Sequence, residues 1–169
     1  MNALNPTSTP DLELRFATEA DVDLIFDFIR ALADYEKMAH EVVADPETLS
    51  ASLFGERRYA EVVLAEFQGR PAGFALFFHN FSTFLGKPGL YLEDLFVEPE
   101  LRGRGIGREL LACLARIAVE RGCGRLEWWV LDWNEPAIGF YEKLGARAMD
   151  EWTVFRLAGD ALSEVAGRS

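Results

Sequence analysis

The chain has 169 residues, half of them hydrophobic and 27% charged, a balance that suits one globular domain and excludes a disordered chain. Seventeen basic residues against 28 acidic ones leave a net charge of −11, which repels phosphate backbones, argues against nucleic acid as a partner and favours cations. Two cysteines, Cys113 and Cys123, and two histidines, His40 and His79, exclude a disulfide scaffold and a Cys-rich zinc site, and no metal is expected.

Residues 1–10 are rich in Asn, Thr, Ser and Pro and read as a flexible tail, not a signal peptide. The longest apolar runs, such as 74–78, fall far short of the ~20 residues that span a bilayer, so no membrane partner and a cytoplasmic location are expected. No repeat or linker divides the remainder, and residues 11–169 are expected to form a single domain. Leu12, Leu14 and Phe16 alternate with Glu13 and Arg15, predicting a strand over 12–17. Thr18 and Asp21 form a capping-box variant. Val22, Ile25, Phe26, Ile29, Leu32 and Ala33 then recur at helical spacing, predicting a helix that ends near 35–38. Asp45-Pro46 opens a second helix to about Phe54. Strands are predicted over 59–67 and 72–81 around a Gln68–Pro71 turn, then a loop over 82–89 and a strand over 90–97. A long helix runs from the glycines at 103–107 to Arg121, with Ile106, Leu110, Cys113, Leu114, Ile117 and Ala118 as its apolar stripe. A strand over 126–131, a helix capped by Asn134 and ended by Gly145, a strand over 153–157 and a short helix over 160–165 complete the order. Three consecutive strands before the long helix predict antiparallel pairing; the strand–helix–strand unit after them predicts a parallel crossover.

Arg102-Gly103-Arg104-Gly105-Ile106-Gly107-Arg108 stands between a strand and the long helix. Glycines there let backbone N–H groups converge, and the helix start adds its positive end, which together suit a pyrophosphate. A Walker A loop needs Lys and then Ser/Thr after the last glycine, but Arg108-Glu109 follows; a dinucleotide fingerprint needs its third glycine where Arg108 stands. Read without further context, the segment is also compatible with a glycine-rich helix entry bearing solvated arginines.

Arg102-x-x-Gly105-x-Gly107 resembles the Arg/Gln-x-x-Gly-x-Gly/Ala motif of the GNAT superfamily of acyl-CoA N-acyltransferases. Tyr91-Leu92-Glu93-Asp94-Leu95-Phe96-Val97, Val130-Leu131-Asp132-Trp133-Asn134-Glu135-Pro136, Phe140-Tyr141-Glu142-Lys143-Leu144-Gly145-Ala146 and Ala33-Asp34-Tyr35-Glu36-Lys37 resemble its diamine (spermidine/spermine) and thialysine acetyltransferase branch. The resemblance implies an α/β (α+β) fold: a mixed, mostly antiparallel sheet, flanking helices and a β-α-β acetyl-CoA-binding core. It implies acetyl-CoA as co-substrate. Pantetheine would run beside Leu95, Phe96 and Val97; pyrophosphate would meet the segment from Arg102 through Gly103, Arg104, Gly105, Ile106 and Gly107 to Arg108; Asn134, Glu135, Pro136 and Ala137 would lie on the cofactor's other side.

Glu93 and Asp94 interrupt an apolar strand, where a carboxylate is costly unless paired, hydrated or functional. Strict alternation would send the two to opposite faces. An amine with a pKa near ~10 arrives as an ammonium ion and must lose a proton before it attacks a thioester. The resemblance gives that base role to Glu93, leaving Asp94 structural, and makes Tyr141 the acid that protonates the departing thiolate. Tyr35 and Glu36, with Glu93, Glu127, Trp128 and Glu151, are the candidates to line the amine cleft; the Asp150-Glu151 run also reads as a solvated turn. The leading expectation is an acetyl-CoA-dependent N-acetyltransferase acting by direct attack of a small cationic amine: a polyamine, diamine or lysine-like acceptor. The alternatives are a protein or peptide acceptor, and a CoA-binding regulatory module without turnover. Relatives of the branch imply a homodimer, with Phe77, Phe78, Phe81 and Phe84 as candidate interface aromatics.

Overall fold

A computed structural model of the chain describes residue 4 and residues 7–167. Its residues group into two compact units, Met1–Trp129 and Val130–Ser169, each described by itself.

The first unit holds a five-stranded sheet in the order β1 (Leu12–Phe16), β2 (Glu61–Phe67), β3 (Arg70–Ser82), β4 (Lys87–Val97) and β5 (Leu126–Trp128). Neighbouring strands run antiparallel as far as β4, and β5 is parallel to β4, as a crossover through α3 (Ile106–Glu120) requires. The mixed, mostly antiparallel α/β expectation therefore holds. The loop expected over 82–89 is instead a tight hairpin, with Ser82 paired to Lys87 and Gly86 in the left-handed region at φ +62°. The two strands extend further along the chain than their hydropathy suggests, because ladder hydrogen bonds join backbone groups whatever the side chains.

Thr18 N–H donates to Asp21 Oδ2 at 2.8 Å and completes the capping box before α1 (Val22–Tyr35). Arg15 of β1 donates from Nη1 and Nη2 to the two Asp21 oxygens, each at 2.8 Å, and from Nε to Glu66 of β2 at 2.8 Å. Those guanidinium hydrogen bonds hold the Asp21 carboxyl down at about 2. Asp45 Oδ1 accepts from Thr48 N–H at 2.7 Å and caps α2 (Pro46–Phe54). Lys37, at φ +61°, ends α1: the chain reverses as Lys37 N–H donates to the Asp34 carbonyl and Met38 N–H to the Ala33 carbonyl.

Ile25 and Phe28 of α1 and Leu53 of α2 pack on Val62, Leu64, Phe74, Leu76 and Phe96. Phe28 stacks on Phe74 with ring centroids 5.5 Å apart and tilts against Phe96 at 5.8 Å. Burying each such side chain is worth about 1.5–3 kcal/mol, which fixes α1 across β4. On α3, Ile106, Leu110, Cys113, Leu114, Ile117 and Ala118 are all buried, as their spacing predicts. Phe77, expected at an exposed interface, is fully buried with Arg121 over its ring, and Phe78 is half-buried against Tyr91; Phe81 and Phe84 are exposed. Phe77 and Phe78 are neighbours on a strand covered on both faces, so both rings find partners.

Part of the tail expectation concerns residues 1–3 and 5–6, which lie outside the described residues. Of its described part, Leu4 N–H donates to the Leu14 carbonyl, Thr7 Oγ1 donates to the Leu12 carbonyl at 2.7 Å, and Ser8 hydrogen-bonds the buried Glu109 through its N–H and hydroxyl.

The second unit contains α4 (Glu135–Lys143) and α5 (Gly159–Ala166). The strand expected over 153–157 is absent: residues 152–158 are without regular secondary structure. β-prone residues alone do not make a strand; a ladder partner is needed, and among the described residues of 130–169 there is no strand. The strand predicted over 126–131 stops at Trp128.

Candidate active site

The central feature lies in β4. Its pairing with β3 shifts between Leu76 and Phe77: Leu76 faces Asp94, but Phe77 faces Leu92. Glu93 is the extra residue of a β-bulge. Cross-strand partners share a face. Asp94 and Phe96 therefore lie with Leu76 and Phe74 on the α1 side, while Leu92 lies with Phe77. Two residues two apart thus face opposite ways, which corrects the strict alternation expected for this strand. Glu93 is exposed, and Asp94 is the more enclosed carboxylate. Burial, then the charges of Glu93 and Glu36, push the Asp94 carboxyl up to about 7. Asp94, expected to be structural, is thus the acid in this cluster that titrates near neutrality. Its signal in the sequence was its position two residues before a core phenylalanine.

Glu36 caps the C-terminal end of α1, and burial raises its pKa as well. Its charge reaches Asp94, so the end of α1 and the bulge of β4 form one acidic group. Tyr35, beside it, lies under the Arg102 guanidinium, which stands 4.6 Å from that ring's centroid and 5.7 Å from that of Phe96. Tyr91 packs between Phe78, at 5.0 Å, and the exposed Trp129, at 5.9 Å edge-on. Burial and the nearby charges of Glu93, Glu127 and Asp94 raise the Tyr91 phenol. Sequence reading missed Tyr91; its two-residue offset from the Glu93-Asp94 pair was the available signal. Glu127 Oε1 accepts from Asn80 Nδ2 at 3.1 Å and pairs with Arg125 Nε at 2.7 Å, so it is the most firmly held of the candidate cleft acids. Trp128 is half-buried in β5.

Leu95, Phe96 and Val97 finish β4, and the glycine loop follows. Gly103 and Gly105 have φ of +77° and +85°, values that a residue with a Cβ adopts only under strain. Gly105 is the N-cap of α3 and, among the described residues, no side chain caps that end, so the first-turn amides from Gly105 to Arg108 suit an outside acceptor. A Cβ at Gly103 would enter open space, one at Gly105 would crowd Thr9 Oγ1 at 3.3 Å, and one at Gly107 would reach Val97 Cγ2 at 3.7 Å. This loop fits a pyrophosphate-bearing cofactor through its backbone. Two of its arginines do not supply their side chains there: Arg102 covers Tyr35 and Phe96, and Arg104 lies over Phe67 at 5.5 Å. Flat guanidinium groups settle on aromatic faces when those are within reach.

In the second unit, Asn134 is buried and its Oδ1 accepts from Ala137 N–H at 3.4 Å, with Glu135 and Pro136 between them in the first turn of α4. Tyr141 is half-buried in the last turns of that helix, its ring 5.3 Å from that of Phe140. Glu151 is exposed in a turn. Among the described residues, no group of three or more His, Cys, Asp or Glu side chains is placed to hold a metal ion, and no helix is long and apolar enough to cross a membrane.

A mixed sheet with a bulged fourth strand, an uncapped glycine-loop helix and acids beside it defines an acyl-transfer fold. Residues 27–146 match the model of the acetyltransferase (GNAT) family, and the chain belongs to that family; it is an N-acetyltransferase. It is 38% identical over 166 residues to the thialysine N-epsilon-acetyltransferase of Bos taurus, covering 92% of this chain and 97% of that one. It is 34% identical over 197 residues to an L-ornithine N5-acetyltransferase of Arabidopsis thaliana, covering 90% and 86%. Among solved structures, an integron cassette protein from the mobile metagenome of V. cholerae matches with a TM-score of 0.78 at 28% identity, covering 93% of this chain and 98% of that chain.

Proposed function

We propose that the enzyme transfers an acetyl group from acetyl-CoA to the primary amine of a small cationic acceptor by direct attack. The observation that carries this reading is the β4 bulge, which sets the exposed Glu93 beside the enclosed Asp94, whose carboxyl also feels the charge of Glu36. The acidic group attracts an ammonium ion and then accepts its proton. Glu93 takes the proton directly or through water; Asp94, half-protonated near neutrality, accepts or returns one at the same place. The aromatic faces of Tyr91 and Trp129 suit the cation and its methylene stem. Acetyl-CoA supplies an activated thioester when bound. Leu95 to Val97 and the amides from Gly103 to Arg108 are the residues to hold it, with Asn134 to Ala137 as further contacts. Tyr141 is the group assigned to protonate the thiolate, since a phenol and a thiol have comparable pKa values.

Relatives that act on thialysine and on ornithine support an acceptor with a terminal amine on a short chain. The family match runs across residues 27–146 and supports treating both units as one catalytic domain. A cytoplasmic homodimer is part of the same reading, with the exposed Phe81 and Phe84 as interface candidates. The test is thiol release from acetyl-CoA across spermidine, spermine, short diamines, lysine, ornithine and thialysine, with wild type, Glu93→Gln and Tyr141→Phe. Amine-dependent release that falls at least a hundredfold in both variants is expected. Undiminished rates in both would refute the assigned roles. Release only with peptide acceptors would replace the small amine by a protein.

A further inference from the structure

Residues 7–9 precede the sheet, yet they lie against the glycine loop at the start of α3. Asp11, at φ +62°, reverses the chain before β1, and its carbonyl accepts from Gln68 N–H at 2.9 Å. Leu4 N–H donates to the Leu14 carbonyl at 3.0 Å and Thr7 Oγ1 to the Leu12 carbonyl at 2.7 Å, so the segment folds back along β1. Ser8 then reaches α3: its N–H donates to Glu109 Oε1 at 3.1 Å, and its hydroxyl donates to the same oxygen. Thr9 is half-buried, with Oγ1 3.3 Å from the position a Cβ would take on Gly105.

Glu109 makes this contact more than a surface pairing. It is 7% exposed and stands in the first turn of α3, where its N–H donates to the Gly105 carbonyl at 3.0 Å. A buried carboxylate is costly without donors, and among the described residues Ser8 supplies them. The first turn also carries the positive end of the helix, so an acid there competes with an incoming anion for the same field. The two Ser8 donors partly offset that charge. Gly103 and Gly105, for their part, give the loop many conformations, and fixing it costs entropy when a ligand binds. A segment that holds the helix start and rests on Gly105 fixes the loop before the ligand arrives.

We propose that residues 7–9 are a clamp on the cofactor loop, with Ser8 on Glu109 and Thr9 on Gly105 holding the first turn of α3 ready for the pyrophosphate of CoA. Ser8, Thr9 and Glu109 are positioning residues: they act through the amides from Gly105 to Arg108 and touch no reacting atom. Clamp and cofactor are coupled, so each strengthens the other's hold on the loop. This rests on the acetyl-CoA reading above and extends the cofactor site to a part of the chain outside the glycine motif.

The experiment measures CoA binding by calorimetry in wild type, Ser8→Ala, Thr9→Val and a chain that lacks residues 1–9. The deletion is made with Glu109→Gln, which removes the charge it would leave buried, and is compared with Glu109→Gln in the full chain. The dissociation constant should rise roughly three- to tenfold in the point variants at Ser8 and Thr9 and about ten- to thirtyfold in the deletion. The KM for acetyl-CoA should rise in step, while kcat and the KM of the best amine of the panel change by less than about twofold, a split that general destabilisation does not produce. In wild type, CoA should slow hydrogen exchange of the Ser8 N–H by at least about fivefold. Equal CoA affinities across the set, or a Ser8 amide that exchanges at the same rate with and without CoA, overturn the clamp and leave acetyl transfer intact. An equal rise in the KM of the amine overturns it too, and so does tighter CoA binding in the deletion, which would make the segment an obstruction. If the deletion does not fold, Ser8→Ala and Thr9→Val decide the matter. If wild type binds no CoA, the cofactor reading falls and the clamp with it.

Discussion

Replacing Asp94 by Asn isolates the energetic cost of the buried acid. In the folded protein this carboxyl titrates at about 7, against 3.8 for an unhindered aspartate. Between those values the folded state binds a proton that the unfolded chain does not, so wild-type stability falls as the pH rises. An asparagine of the same shape carries no such penalty. Each pH unit is worth about 1.4 kcal/mol where the two states differ by a full proton, so the stability advantage of Asp94→Asn over wild type should widen by about 2 kcal/mol from pH 5 to pH 7 and level off above pH 8. Urea unfolding of both proteins at half-unit steps from pH 5 to 9 measures it, and the difference cancels contributions from the other carboxylates. An advantage that stays constant across this range, or narrows as the pH rises, would refute the reasoning, because only a raised native pKa produces widening with this sign.

At the other end of the sheet the sign reverses. The Asp21 carboxyl is held near 2 by Arg15, so that pair contributes stability present above pH 3.8 and lost as the pH falls toward 2. Arg15→Ala should lose about 2 kcal/mol at pH 6, and much less at pH 2, in the same unfolding assay. Gly105→Ala meets a φ of +85° and crowds Thr9 Oγ1, so it should cost about 1–2 kcal/mol of stability and raise the KM for acetyl-CoA severalfold in steady-state assays. Leu53, buried between α2 and the sheet, should cost about 2–5 kcal/mol when changed to Ala, read as a lowered urea midpoint.

Most of the first unit was legible because its signals are local. Asp45-Pro46 and Thr18–Asp21 state their helix starts in side-chain chemistry, and the stripe from Ile106 to Ala118 states the buried face of α3. The glycine loop was legible for a related reason: Gly103 and Gly105 occupy conformations that leave few residue choices. What escaped depends on partners across the fold. No periodicity announces that Glu93 is unpaired, since a bulge exists only relative to β3. Asp94 raises no flag in the sequence because its shift comes first from burial, which the fold supplies, and then from the charges of Glu93 and of Glu36, nearly sixty residues earlier in the chain. Arg102 and Arg104 show their charge in the sequence, but not the Tyr35, Phe96 and Phe67 rings they lie over. The strand expected over 153–157 does not form, because β-prone residues such as Val154 and Phe155 make a strand only with a ladder partner.

The bulge has a consequence for the length of β4. With Leu92 opposite Phe77 and Asp94 opposite Leu76, removing Glu93 would join two segments already in step, and each remaining side chain would keep its partner and its face. Glu93 is a supernumerary residue: the ladder is complete without it. A chain one residue shorter would pair as a regular hairpin and lose its exposed carboxylate, so a deletion, ordinarily the harshest edit to a sheet, would here repair the weave while removing the proposed proton acceptor. In this strand the fold is specified by the residues that pair, and the chemistry by the one that has been added to them.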